Sequence, residues 1–187
     1  EQKDMQWKLE ALVQEIREKN EVLNFISESD ALTGCMNRRG FIEKTLQMNR
    51  DHEGEELLIL FADLDHLKEI NDSFGHIEGD FSIRHCAEVL KKVVGADGIV
   101  GRIGGDEFCV VTLGNLKDGQ QIIERIREER DAFNCTSDKE YYVELSAGCT
   151  SVICRNGLVI ADALREADRA LYEVKKLRRN FVKKIRL

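Results

Sequence analysis

The spacing of apolar residues sets the first 29 residues apart from the rest of the chain. This segment contains neither glycine nor proline, and its apolar residues recur at steps of three, four and seven between charged residues. The apolar positions are Met5, Leu9, Leu12, Ile16, Leu23 and Ile26. Two apolar positions per heptad predict a coiled-coil helix over residues 1–29, which we treat as a signalling helix or linker. The alternative is a single amphipathic helix packed on the domain that follows.

Short apolar runs alternate with helical patterns over residues 30–187, which we predict to be one domain. Residues 57–62 are apolar on both faces, as a central strand is. Two β-branched runs flank Gly104-Gly105-Asp106-Glu107 and predict a hairpin. Asn37 predicts a helix N-cap. Further helices are predicted at 66–72, after a turn at 75–80 through Ile83 to Val94, at 117–133 and at 161–176. One bent strand or two short ones are predicted at 141–153, and an edge strand at 181–187.

The order strand, two helices, hairpin, helix, strand, helix predicts an α/β (α+β) fold. We expect an antiparallel-rich central sheet covered by helices, close to the ferredoxin-like palm.

Composition narrows the class of protein. The chain has 187 residues and a net charge of −7, which does not favour binding to nucleic acid. Six cysteines without a C-x-x-C pair, several inside apolar runs, indicate a reducing compartment, so we expect a cytoplasmic domain. The longest apolar run has six residues, and no membrane contact is expected. Because the chain starts at Glu1 within a helical pattern, we expect a sensor domain upstream.

Two acidic segments carry the candidate chemistry. The Gly104–Glu107 tip is either a solvated turn or a carboxylate pair that holds a divalent metal over a ligand lying against the glycines. Asp63 and Asp65 end the central strand and are followed at once by a helix. Carboxylates bind cations and a helix N-terminus binds anions, so this junction suits a metal–phosphate complex. The simpler alternative makes Asp63 or Asp65 an N-cap.

Four segments, in order along the chain, carry a family resemblance. They read Asp30-x-Leu32-Thr33-Gly34-x-x-Asn37-Arg38-Arg39, Asp63-x-Asp65-x-x-Lys68-x-Ile70-Asn71-Asp72-x-x-Gly75-His76-x-x-Gly79-Asp80, Gly101-Arg102-x-Gly104-Gly105-Asp106-Glu107-Phe108, and Ala167-Asp168-x-Ala170-Leu171-Tyr172-x-x-Lys175. Together they resemble the GGDEF family of diguanylate cyclases over about residues 28–181. The resemblance implies that two GTP molecules are joined into cyclic di-GMP with release of pyrophosphate.

The resemblance also implies roles for individual residues. Asp63, the carbonyl of Leu64 and Asp106 would bind two magnesium or manganese ions. Glu107 would assist the metal or accept the proton of the ribose 3′-hydroxyl. The implied substrate contacts are His66, Leu67 and Lys68 at the β- and γ-phosphates, Asn71, His76 and Asp80 at the guanine, Gly105 at the hairpin, and Lys175 and Arg179 at the phosphates. Lys68 is grouped with Asp106 and Glu107 as catalytic.

Each protomer would hold one GTP, so the resemblance implies a homodimer with facing active sites, aligned by the coiled coil. Gly95 and Gly98 stand where the family has the Arg and Asp of an inhibitory product site, so we do not expect product feedback there. Two alternatives remain. One is a catalytically silent module that binds GTP or a partner, and the other is a purely structural coiled-coil module, which leaves Asp63, Asp80 and Asp106 unexplained.

Overall fold

The structure, a computed structural model, describes residues 6–7, 12–17, 19 and 27–185, with side chains as far as Leu177. Most of the predicted coiled coil therefore lies outside the described residues. Its described part is largely helical and exposes Leu12 and Ile16 to solvent. The coiled coil stays a prediction.

The element order agrees with the sequence pattern. From residue 38 onward the elements are α1 (Arg38–Asp51), β1 (Glu56–Asp65), α2 (Leu67–Phe74), α3 (His76–Val94), β2 (Ile99–Arg102), β3 (Glu107–Leu113), α4 (Leu116–Thr136), β4 (Glu144–Ile153) and α5 (Ile160–Ile185). The predicted α/β (α+β) fold is confirmed. Within the described ranges, no helix has a stretch long and apolar enough to span a lipid bilayer.

The strands form one antiparallel sheet in the order β2-β3-β1-β4. The central strand β1 is buried on both faces, which explains its unbroken apolar run. Leu58 and Leu60 face a cluster that includes residues of α3 and α4. Leu57 and Ile59 face a second cluster that includes residues of α1 and α5. The core thus lies on both sides of the strand that ends in Asp63 and Asp65.

One of the predicted elements is wrong. Residues 181–187 were expected to form an edge strand, but α5 continues through Ile185. Leu177, Phe181 and Ile185 recur every four residues, which is a helical spacing, and no glycine or proline interrupts the segment. The predicted bent strand at 141–153 is the single strand β4. Asn37 is the N-cap of α1 as expected, since its side-chain oxygen accepts a hydrogen bond from the Gly40 N–H at 3.0 Å.

Helix α5 packs directly on the backbone of β4. A Cβ atom added at Gly148 would lie 2.1 Å from the backbone nitrogen of Leu171, so only glycine allows this approach. Lys175 lies one helical turn beyond Leu171. The glycine therefore helps to set where Lys175 lies along the sheet.

The segment before α1 is joined to the hairpin by an ion pair. Asp30 accepts hydrogen bonds from the backbone N–H and the hydroxyl of Thr33, at 3.0 and 2.7 Å, and from Arg102 Nη1 at 3.2 Å. Arg102 Nη2 also donates to the carbonyl of Gly105 at 2.8 Å. Partial burial acts to raise the pKa of Asp30, but the hydrogen bonds from Thr33 and Arg102 outweigh it and hold that pKa below its ordinary value. Asp30 thus fixes Arg102, and Arg102 holds the hairpin tip.

We expect Asp30→Asn to lower the free energy of unfolding by about 1–3 kcal/mol near neutral pH, because a charge-assisted, partly buried network is lost. A depressed carboxyl pKa stabilises the fold above its unfolded-state value, and this stabilisation is lost as the pH falls through the folded-state value. The difference between wild type and variant should therefore shrink in acid. Urea unfolding at about pH 7 and about pH 3 measures it.

Asp97→Asn is the matched control, because Asp97 is exposed and lies outside this network. We expect it to change the unfolding free energy by less than about 0.5 kcal/mol. An Asp30→Asn variant as stable as this control at neutral pH would contradict the assigned role of the ion pair.

Candidate active site

The sheet register brings acidic residues from two distant segments side by side. Asp63, near the end of β1, lies opposite Glu107 at the start of β3. The backbone N–H of Leu64 donates to the carbonyl of Asp106 at 3.0 Å, which holds the hairpin tip against the end of β1. On the other side of β1, Asp63 lies opposite Ser146 of β4. Asp63 of β1 and the hairpin residues Asp106 and Glu107 are therefore neighbours.

Burial and the charges of neighbouring carboxylates disfavour the charged forms of Asp63 and Glu107. Burial raises the pKa of Asp63, and the charges of Asp106 and Asp65 add to it, against the opposing effect of Lys175. Burial also raises the pKa of Glu107, followed by the charges of Asp106, Asp63 and Asp168. Carboxylates that repel one another in a partly buried site are stabilised by a cation, so this pattern is typical of a cation-binding or catalytic site.

Lys175 supplies positive charge to this cluster. Its ammonium pairs with Asp63 and lies 3.1 Å from Asp65 Oδ1. Burial acts to lower its pKa, but the hydrogen bonds and charges of the two aspartates outweigh burial and raise the pKa of Lys175 above its ordinary value. Asp65 also accepts a hydrogen bond from the hydroxyl of Ser146 at 2.5 Å. Lys175 was predicted to contact phosphates, and here it contacts the carboxylates that precede the predicted phosphate site.

The donor set has the chemistry that magnesium or manganese requires. Asp63, Asp106 and Glu107 all offer carboxylate oxygen, the ligand that hard divalent cations prefer. In the part of the chain that the structure describes, no three His, Cys, Asp or Glu side chains are grouped so as to hold a metal ion. Lys175 is instead the cation beside Asp63. The three carboxylates therefore suit a magnesium or manganese ion by their chemistry and by their adjacency in the sheet.

The junction between β1 and α2 has an unusual backbone. His66 adopts a left-handed conformation with φ of 62°, which is uncommon for a residue other than glycine. It is the N-cap of α2 and makes no side-chain capping hydrogen bond. The alternative in which Asp63 or Asp65 caps this helix is therefore wrong, because the cap position belongs to His66. Backbone strain at such a position often accompanies a ligand site.

The other predicted substrate residues are spread over α2, α3 and the hairpin. Asn71 lies on α2 so close to α3 that a Cβ atom at Gly79 would be 2.0 Å from its Oδ1. Lys68, His76, Asp80 and Gly105 are exposed, while Leu67 is half-buried. Arg179 lies within α5, and its side chain is outside the described residues.

Several residues near this cluster have no role implied by the family resemblance. Asp65 pairs with Lys175 and accepts the hydrogen bond from Ser146. The charge of Asp168 raises the pKa of Glu107, and the charge of Arg38 lowers it. Asp65, Asp168 and Arg38 belong to the family-like segments, so the sequence holds a signal for them. Ser146 lies in an ordinary strand pattern and carries none.

Comparison with known proteins gives one consistent result. The family model described as "Diguanylate cyclase, GGDEF domain" matches residues 27–181. Diguanylate cyclase DgcP of Escherichia coli is 39% identical over 172 residues, which are 89% of this chain and 50% of that protein. Cyclic di-GMP phosphodiesterase NbdA of Pseudomonas aeruginosa is 30% identical over 176 residues, 92% of this chain and 22% of that protein. The chain thus spans at most about half the length of these relatives.

A solved structure has a similar overall fold. The coiled coil and GGDEF domain of DgcB from Caulobacter crescentus, in complex with c-di-GMP, matches with a TM-score of 0.79 at 26% identity, covering 90% of this chain and 91% of that one. The family match and the similarity of the folds lead to the same assignment. The chain belongs to the GGDEF-domain family of diguanylate cyclases.

Proposed function

We propose that this domain condenses two molecules of GTP into cyclic di-GMP and releases pyrophosphate. The observation that carries the proposal is the register of β1 and β3, which sets Asp63 opposite Glu107 with the backbone of Asp106 bound to Leu64. These carboxylates lie at the end of the strand that leads directly into α2. An oxygen-rich cation site beside a helix N-terminus suits a nucleoside triphosphate with its divalent ions.

The reaction forms one bond and breaks another at each α-phosphorus. The ribose 3′-oxygen of one GTP attacks the α-phosphorus of the other, the bond to the β-phosphate oxygen breaks, and pyrophosphate leaves. Asp63, the carbonyl of Leu64 and Asp106 would hold two magnesium or manganese ions, whose positive charge would lower the pKa of the hydroxyl and stabilise the leaving group. Glu107 would assist the metal or accept the proton of the 3′-hydroxyl.

Binding and orientation of GTP use the remaining residues. The first N–H groups of α2 at Leu67 and Lys68, with His66 and the ammonium of Lys68, bind the β- and γ-phosphates. Lys175 and Arg179 approach the phosphates from α5. The hairpin glycine Gly105 leaves room for the nucleotide, because a Cβ atom there would meet nothing within 4 Å.

Guanine recognition belongs to Asn71 and Asp80, with His76 nearby. A carboxylate accepts hydrogen bonds from the guanine N1–H and exocyclic amine, whereas adenine offers no such pair of donors at that edge. A carboxylate that the bound base covers and leaves unpaired disfavours the wrong base.

The active unit is a homodimer in the cytoplasm. One site binds one GTP, so the two reacting nucleotides come from two protomers whose sites face each other. The predicted coiled coil over residues 1–29 aligns them.

The second candidate is a catalytically silent domain that binds GTP and signals through dimerisation. It is favoured by the relative NbdA, which is named a cyclic di-GMP phosphodiesterase and not a cyclase. The acidic residues of the hairpin and of β1 are nevertheless all in place. Nucleotide binding without product would identify this candidate.

We expect the purified protein to convert GTP with magnesium into cyclic di-GMP, and Asp106→Ala to lower the rate at least about 100-fold, because a metal ligand is lost. The variant should keep its unfolding midpoint, since Asp106 lies at a turn. Separation of the nucleotides by chromatography measures both proteins. Asp97→Ala, at an exposed position away from the hairpin, is the control and should leave the rate unchanged. Folded wild-type protein that binds GTP and makes no dinucleotide would favour the silent candidate.

We also expect specific activity to rise with protein concentration, because the reaction needs two protomers. Sedimentation measured over the same concentrations should show dimer forming in the range where activity rises. Specific activity that stays constant while the protein is monomeric would contradict a dimeric active unit.

A further inference from the structure

The loop between α4 and β4, residues 137–143, reaches across the surface to the turn between α2 and α3. It contains three charged residues, Asp138, Lys139 and Glu140. No role follows for it from the reaction. Its contacts are nevertheless concentrated on the part of the chain that carries the predicted guanine-binding residues.

On α3, the loop contacts one carboxylate from two sides. Lys139 Nζ lies 2.7 Å from Glu78 Oε2, and the Tyr141 hydroxyl donates to the same oxygen at 2.6 Å. Lys139 Nζ also lies 4.4 Å from the centre of the Phe81 ring, a cation–π distance. The Lys139 and Glu78 side chains are only 26% and 29% exposed, so the pair is partly shielded from solvent.

On α2, the loop contacts the C-terminal end of a short helix. Helix α2 has eight residues, of which Ile70 is the buried one. At its end, Phe74 packs against Tyr141 with ring centres 5.0 Å apart. Gly75 then turns the chain with φ of 89° into α3. Tyr141 thus touches both helices on either side of this turn.

The loop is itself held firmly. The Asn134 side chain bonds both backbone groups of Val143, donating to the carbonyl at 2.9 Å and accepting from the N–H at 3.0 Å. Val143 is buried. Phe133, on the last turn of α4, packs on Phe81 with ring centres 6.0 Å apart. Because the loop is anchored at Val143 and α4 packs on α3 beside the start of the loop, the position of α3 depends on that of α4.

The contacts lie next to the predicted base-reading residues along both helices. Glu78 comes two residues before Asp80, and Phe74 three residues after Asn71. Gly79, between Glu78 and Asp80, is the point where the two helices meet at Asn71. A shift of the first turn of α3 would therefore move Asp80 relative to Asn71.

We propose that Lys139 and Tyr141 are positioning residues for guanine recognition, which fix the α2–α3 turn through Glu78 and Phe74 so that Asn71 and Asp80 meet the base together. This inference rests on the proposed function. It concerns selectivity for the base and leaves the phosphate and metal sites at the end of β1 unchanged.

We expect the contacts of Lys139 and Tyr141 to orient Asn71 and Asp80. Ion pairs at partly exposed positions contribute little to folding stability. A hydrogen-bonding site holds its selectivity only while its groups keep their geometry, and small displacements are costly there. Loss of the contacts should therefore weaken binding of the correct base while the fold remains stable.

The test compares Lys139→Met and Tyr141→Phe with the wild-type protein. Calorimetry with non-hydrolysable GTP and ATP analogues, each with magnesium, gives the two dissociation constants. We expect each variant to bind the GTP analogue about 3- to 10-fold more weakly, the size of one lost hydrogen bond. Binding of the ATP analogue and the unfolding midpoint should stay unchanged. In turnover assays the KM for GTP should rise while kcat changes by less than about twofold.

Two further variants separate positioning from a general structural role. Tyr142→Phe is the matched control, because Tyr142 is the neighbouring tyrosine and is 71% exposed. It should bind both analogues like the wild type. Lys139→Arg keeps the charge and a hydrogen-bond donor to Glu78, so this variant should retain most of the wild-type affinity for the GTP analogue.

The outcomes are distinct. Equal weakening of both analogues, or GTP-analogue binding as tight as in the wild type, would overturn the positioning role. A wild-type protein that does not prefer the GTP analogue would instead overturn the proposed guanine recognition, and with it this inference.

Discussion

The pairing of β1 between β3 and β4 is the constraint on which the site depends. Its apolar residues are buried on both faces, so the strand cannot slip without exposing a core residue. The same register sets Asp63 opposite Glu107 and brings the backbone of Asp106 to Leu64. Burial of the sheet thus holds together acidic groups that repel one another. The two core clusters hold β1 from above and below, and the acidic groups follow from its position.

Charge neutralisation around this strand end comes from distant elements. Lys175 reaches Asp63 and Asp65 from α5, whose path over the sheet depends on the backbone contact at Gly148. Arg102, held by Asp30, keeps the hairpin tip in place from the other side. Each cation therefore belongs to an element whose packing also positions a part of the site. Packing and electrostatics act together here, since neither alone would hold these carboxylates in place.

The sequence predicted the elements that have strong periodicity and the residues that carry recognisable chemistry. The hairpin, the buried strand and Asn37 as N-cap were visible because local pattern decides them. The predicted edge strand at 181–187 was wrong because its apolar residues fit both periods. The pairs Asp30–Arg102 and Glu78–Lys139 join residues 72 and 61 positions apart, and nothing local marks them as partners. Tertiary contacts between charged residues become visible only in the folded chain.

The distribution of the cysteines has a practical consequence. Four of the six thiols are buried and Cys149 is half-buried, and burial raises the pKa of Cys86 to about 12. Such thiols react slowly with electrophiles because little thiolate is present. Cys135, at the end of α4, is the exposed one. A maleimide dye would therefore attach chiefly next to the 137–143 loop, which makes the native chain suitable for fluorescence studies of that region without an engineered label site.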